Sequence, residues 1–237
     1  MEPVAVKFYY FSQIHIHTFI ASILFSILLL LIPKLFKKIN LKNYGTFLGF
    51  FILGFKILDS VYRVTQEHEP VYNVIPIHLC NFAAIAAGLY LIFKTRFLFN
   101  LAYFLSFGAA FALVLPGVIV YYHPFYVYVF MIMHALEFVA VFYGFIYLKD
   151  KIDFKNYILS CITLILLFVY AAIYNTIFSC KCNVSEIIYS WNCKFHKAIW
   201  TLYCSSDTFN VIHYVYDVSA LQKKKYSNLK ILLQTAG

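Results

Sequence analysis

Charge is what this chain of 237 residues has least of: Asp, Glu, Lys and Arg together make up 12%, against 63% hydrophobic residues. A soluble domain carries about 25% charged and roughly 45–50% apolar residues, so the shortfall excludes an ordinary water-facing surface. Side chains that must face lipid as well as their neighbours account for the excess of apolar residues. The chain also lacks the segments of about ten residues with alternating hydrophobicity that a transmembrane β-barrel needs. It has no basic stretch ahead of the first apolar run, where only Lys7 stands, so that run reads as a first span and not as a removed signal. Neither end carries a lipidation signature. The expected fold class is all-α, a polytopic transmembrane helix bundle, multi-pass in the cell membrane.

Six apolar runs are clear: His17 to Pro33, Tyr44 to Tyr62, Val74 to Phe93, Phe97 to Val120, Phe125 to Leu148 and Tyr157 to Phe178. Each is long enough for roughly 30 Å of hydrocarbon at about 1.5 Å per residue. Acidic residues are scarce, 10 against 19 basic ones, and the basic ones sit in alternate connections. Lys34, Lys37, Lys38 and Lys42 lie between the first two runs, Lys94 and Arg96 between the third and fourth, and Lys149, Lys151 and Lys155 between the fifth and sixth. The other side has Lys7 and Arg63. This bias puts the basic loops in the cytoplasm and the N-terminus outside. It also explains the net charge of +9 without a nucleic-acid partner, because the many aromatics lie within and at the ends of the spans. Membrane lipids are the partners expected.

The regularity stops after residue 179. Two cysteines precede that point and four follow it, along with seven lysines and no apolar run of eighteen residues. Residues 1–179 are therefore read as the bundle, and 180–237 as an atypical tail, either peripheral or the product of a shifted reading frame. A doubtful seventh span, Ala198 to Leu221, would return Lys223, Lys224 and Lys225 to the cytoplasm. It contains Ser205, Ser206, Asp207, Asn210, His213 and Asp217, which suit hydrocarbon poorly. Cys180, Cys182, Cys193 and His196 are zinc-ligand types, but disulfides compete in an external tail. Neither a metal nor a cofactor is assigned.

The chemistry-bearing residues lie inside the runs. IPIHLCNFAA, residues 75 to 84, brings His78, Cys80 and Asn81 into four positions. On a helix, at about 100° per residue, His78 and Asn81 share a face and Cys80 lies nearly opposite. The thiol then takes its base from another span unless Pro76 or an unwound turn distorts the helix. His134, in MIMHALEF with Glu137 one turn on, is the candidate, since an ionisable residue inside a span faces the bundle interior or a wet cavity. Glu137 would accept from the imidazole and fix its tautomer. Together they form a nucleophile, a base and an orienting acid; the thiolate is the reactive form, and Asn81 would donate to a developing oxyanion. The plain structural readings stand beside these. A buried Cys is usually a small hydrophobe, and a bundle His often makes an interhelical hydrogen bond.

The second run offers Lys56 and Asp59, three apart and able to pair, with Arg63 a turn further, able to reach Asp59. They read as a structural ion pair with a snorkelling Arg, or as an anchor for a phosphate headgroup, which Arg suits. QEHEP, residues 66 to 70, reads as a solvated loop, and His15 and His17 as membrane-edge residues.

IPIHLCN, followed by LSFGAAFALVLPG at 105 to 117 and HALEFVAVFYG at 134 to 144, resembles the bacterial YwaF-like integral membrane protein family, whose eukaryotic relatives are multispanning phospholipid acyltransferases. The resemblance covers residues 10 to 178. It implies Cys80 as acyl acceptor and His134 as base. The function expected is a lipid acyltransferase working through a Cys80 thioester. Glu137 would orient the base, His78 and Asn81 would line the carbonyl site, and Arg63 and Asp59 would serve substrate binding on an acyl-lipid. The alternatives are a small-solute transporter or channel lined by Asp59, His78, His134 and Glu137, and a structural protein whose polar residues only lock helices.

The topology makes a direct prediction. In a chain otherwise free of cysteine, Lys37→Cys should resist a membrane-impermeant maleimide on intact cells, whereas His68→Cys should react; the reverse pattern overturns the orientation.

Overall fold

The structure, a computed structural model, describes residues 5–74, 78–118 and 120–178. The expected seventh span, the zinc-type set Cys180, Cys182, Cys193 and His196, and the rest of the tail lie outside the described residues. Seven α-helices follow one another: α1 (Gln13–Leu35), α2 (Leu41–Thr65), α3 (Val71–Val74), α4 (Leu79–Phe93), α5 (Arg96–Val114), α6 (Pro124–Tyr143) and α7 (Phe154–Phe178). A π-helical turn, Gly144–Leu148, extends α6. Two short strands, β1 (Val6–Lys7) and β2 (Val120–Tyr121), pair antiparallel with Val6 opposite Tyr121.

α1 is arranged inside out relative to a helix of a water-soluble bundle. On α1 the buried stripe is His15, Thr18, Ser22, Ser26, Leu29 and Pro33, spaced three and four apart, while Leu24, Leu28 and Leu31 are exposed. In water this would be perverse. In hydrocarbon, Leu gains nothing by burial, and helices associate through small residues and close packing. The hydroxyls do not compete for partners across the interface; Thr18 donates to the Ile14 carbonyl at 2.7 Å, and Ser26 to that of Ser22 at 2.8 Å. The α2–α4 crossing relies on the same device. A Cβ added at Gly49 would stand 2.7 Å from the Gly88 carbonyl oxygen, so the two backbones touch there.

Among the described residues, four helices are long and apolar enough to cross a membrane: Gln13–Leu35, Arg96–Val114, Pro124–Leu148 and Phe154–Tyr174. The six clear spans expected are thus not all matched by a helix of this kind. Within the third run, α4 has 15 residues, about 22 Å at the usual rise, which is short of the hydrocarbon thickness. The fourth stops at Val114, before Pro116. The second is long but carries Lys56, Asp59 and Arg63.

The end of the bundle that bears the basic loops is locked by tyrosines. Pro33 has no N–H, so the Leu29 carbonyl loses its intrahelical donor. The Tyr44 hydroxyl supplies one at 2.9 Å. Tyr147 donates to the Leu30 carbonyl at 2.5 Å, and Tyr143 to that of Leu41 at 2.7 Å, tying the end of α6 to α1 and α2. Tyr90, fully buried, donates to Asp150 at 2.5 Å. Asp153 accepts from the Asn156 backbone at 2.9 Å and from its side chain at 2.6 Å, capping α7; these bonds hold its carboxyl below the usual carboxylate range.

Tyr44→Phe should cost about 1–3 kcal/mol, the penalty of an unfilled buried carbonyl, read as a lower midpoint in denaturing-detergent titration. In Pro33→Ala the restored N–H can fill the Leu29 carbonyl, so Tyr44→Phe should then be nearly neutral; equal costs in both backgrounds sink the account.

Candidate functional site

The candidate residues lie on three helices. α2, α4 and α6 all pack against one another. Counted from the basic-loop end, Lys56 lies about 20 Å along α2 and Cys80 about 20 Å along α4, and His134 lies about 14 Å along α6 with the π-helical turn Gly144–Leu148 beyond it. The shortness of α4 is what makes this work, because its first turn begins at the depth where α2 carries its charges.

The local structure of HLCN differs from a continuous helix. His78 is the N-cap of α4, in an extended conformation at φ −79° and ψ 142°, so the helical-wheel relation between His78 and Asn81 does not apply. Cys80 is a free, half-buried thiol, and Asn81 is buried.

On α6, His134 is 5% exposed and Glu137 1%. His134 Nδ1 lies 2.7 Å from the Phe130 carbonyl oxygen. A carbonyl only accepts, so Nδ1 carries the proton and Nε2 of the neutral ring holds a lone pair. The role expected of Glu137 is corrected here: the Phe130 carbonyl, one turn back, fixes the imidazole, and neither Glu137 oxygen has a hydrogen-bond partner. Among the described residues, six buried side-chain polar atoms are unpartnered, and four of them are Asn81 Nδ2, His134 Nε2 and both Glu137 oxygens. Unpaired buried polar groups are costly, and their concentration at one junction marks it as the chemically distinctive place in the fold.

On α2, Lys56 donates to Asp59 at 2.5 Å, with both side chains buried, as their spacing predicts. Arg63 does not pair with Asp59. Its Nη2 and Nε donate to Glu69 at 2.5 and 3.2 Å, so the QEHEP segment supplies a counter-ion. Glu67, in the same segment, is buried and not solvated. It accepts from the backbone N–H groups of Tyr122 and His123 at 2.7 and 3.2 Å, a carboxylate at the N-terminus of α6 where the helix dipole favours it.

His17 is exposed, but His15 is buried. His15 Nδ1 accepts from the Phe11 backbone at 2.9 Å, which leaves Nε2–H to donate to the Leu113 carbonyl at 3.0 Å. Among the described residues, no group of three or more His, Cys, Asp and Glu is placed to hold a metal ion.

The sequence model of the TMEM164 family matches residues 10–220. An uncharacterized protein of Treponema pallidum (strain Nichols) is 31% identical over 143 residues, which is 60% of this chain and 58% of that protein. The chain thus spans little more than half the length of that relative. No solved structure matches. These findings overturn the resemblance to a YwaF-like family, to which nothing points. The family match also runs well past residue 179, through residue 220, which removes the grounds for a shifted reading frame there.

Glu67→Ala should lower stability by about 2–3 kcal/mol, since two backbone donors lose a charged acceptor. Faster amide hydrogen exchange at Tyr122 and His123 should accompany it; unchanged protection there means Glu67 is not the cap.

Proposed function

The chain belongs to the TMEM164 family, and from the junction of α2, α4 and α6 we propose that it is a membrane-embedded thiol acyltransferase acting on lipids. The observation that carries this reading is His134: its Nδ1 proton is committed to the Phe130 carbonyl, and its buried Nε2 lone pair has no partner. A general base needs that state. Cys80 is the free thiol at the same depth.

The first half-reaction moves the Cys80 proton to His134 Nε2 while sulfur bonds to the ester carbonyl carbon of an acyl-lipid donor. The carbon–oxygen ester bond breaks, and the leaving alkoxide takes the proton from His134. In the second half, an acceptor hydroxyl gives its proton to His134 and its oxygen attacks the thioester. The carbon–sulfur bond breaks and the thiolate is reprotonated. Asn81 Nδ2, a buried donor without a partner, is suited to the carbonyl oxygen, with His78 beside it at the N-cap. Glu137, with two unfilled acceptors, receives a donor from the acceptor substrate. Arg63, near the membrane edge, receives a phosphate headgroup in place of Glu69, and Asp59 holds the charge balance of α2. The N-terminus lies outside and the basic loops in the cytoplasm, as the distribution of Lys and Arg argues.

Intact-protein mass spectrometry before and after neutral hydroxylamine tests the reading. A labile acyl mass on Cys80 is expected, absent in Cys80→Ala, and its formation should slow about 10²–10⁴-fold in His134→Gln. No labile adduct in the wild type, in lipid-containing preparations, overturns the proposal.

A further inference from the structure

Lys56 has no role in the steps above, yet its position is singular. Among the described residues it is the one buried Lys or Arg, 7% exposed. A lysine inside a membrane helix ordinarily snorkels toward the interface. Here the ammonium is held by Asp59 at i+3, donating to one carboxylate oxygen at 2.5 Å, and faces the helix junction. Stability is a poor reason for this arrangement, because a buried ion pair is often matched or bettered by apolar residues of similar size. The ammonium has three donors, and the Asp59 bond is one. α2 buries its inner face against α4 and α6, and two unfilled acceptors lie on Glu137 of α6. The titratable and charged groups on the packed elements are Glu137 and His134 on α6, His78 and Cys80 at the start of α4, and Asp59 and Arg63 on its own helix.

Resting on the acyl-transfer reading, we propose that Lys56 is a positioning residue that supplies the counter-charge for the site: held by Asp59, its ammonium stabilises the negative charge that forms on the Cys80 sulfur and, during transfer, on the acyl carbonyl oxygen. Proton transfer from Cys80 to His134 separates charge in a medium where Coulomb interactions are strong, and a fixed cation lowers that cost. Asp59 prevents Lys56 from being an unpaired charge before and after each turnover.

The test is the rate of Cys80 alkylation by N-ethylmaleimide at neutral pH on the full chain in lipid, mapped by peptide mass, with acyl-adduct formation measured in parallel. Lys56→Met should slow alkylation about tenfold, since less thiolate is present, and Lys56→Arg should keep it within about threefold of wild type. The double variant Lys56→Met/Asp59→Leu removes both charges and leaves no orphan, so it should fold even if Lys56→Met does not. On the proposal it stays as slow as Lys56→Met. Recovery of the wild-type rate in the double variant, or an unchanged rate in Lys56→Met, overturns the proposal and leaves a structural ion pair. A wild type that is alkylated but never acylated defeats the acyl-transfer reading instead, and the dependence of alkylation on Lys56 still decides the counter-charge.

Discussion

In hydrocarbon, a polar group that loses its partner has no water to turn to, and this constraint organises the whole molecule. It explains why the serines and the threonine of α1 bond back onto their own helix. It explains why a proline in α1 is matched by a tyrosine hydroxyl from α2. It also makes the exceptions informative. A fold that satisfies its carbonyls so consistently at one end leaves Asn81, His134 and Glu137 unpartnered at one junction. Such a departure from local rules is where function is normally found.

Much of this was legible in the sequence, and the reasons differ from residue to residue. The helices follow from continuous apolar runs, and the Lys56–Asp59 pair from spacing along one helix. His134 and Glu137 stood out because ionisable residues inside a span are rare. The start of α4 was not legible: Pro76 biases the residue before it away from helix, but hydropathy alone cannot distinguish a helix entering the membrane at residue 74 from one starting at residue 79. Glu67 was missed for a different reason. Its partners are 55 and 56 residues away, and nothing local separates it from a solvated acidic loop. The pairing of Arg63 with Glu69 rather than Asp59 likewise depends on how the loop folds back. The family resemblance read from short motifs was corrected by a match over most of the chain, which weighs the pattern of the spans as well as the polar residues.

The roles within the junction divide by element. α6 supplies an imidazole whose orientation is set by its own backbone, so its geometry does not depend on a neighbour. α4 supplies the thiol and an amide from its first turn, where the chain passes from extended to helical. α2 supplies charge. Because the backbones of α2 and α4 meet at Gly49 and Gly88, the charged face of one helix and the first turn of the other are held in fixed register from a point deeper in the bundle.

The pairing of β1 with β2 bears on how the chain assembles. Val6 meets Tyr121, and the His15 ring reaches a carbonyl 98 residues along the chain. Contacts of such separation form late, because the intervening loop must first be closed. β1 and the His15 ring can therefore dock only once the chain through β2 has been made, so this end of the bundle is the last to close.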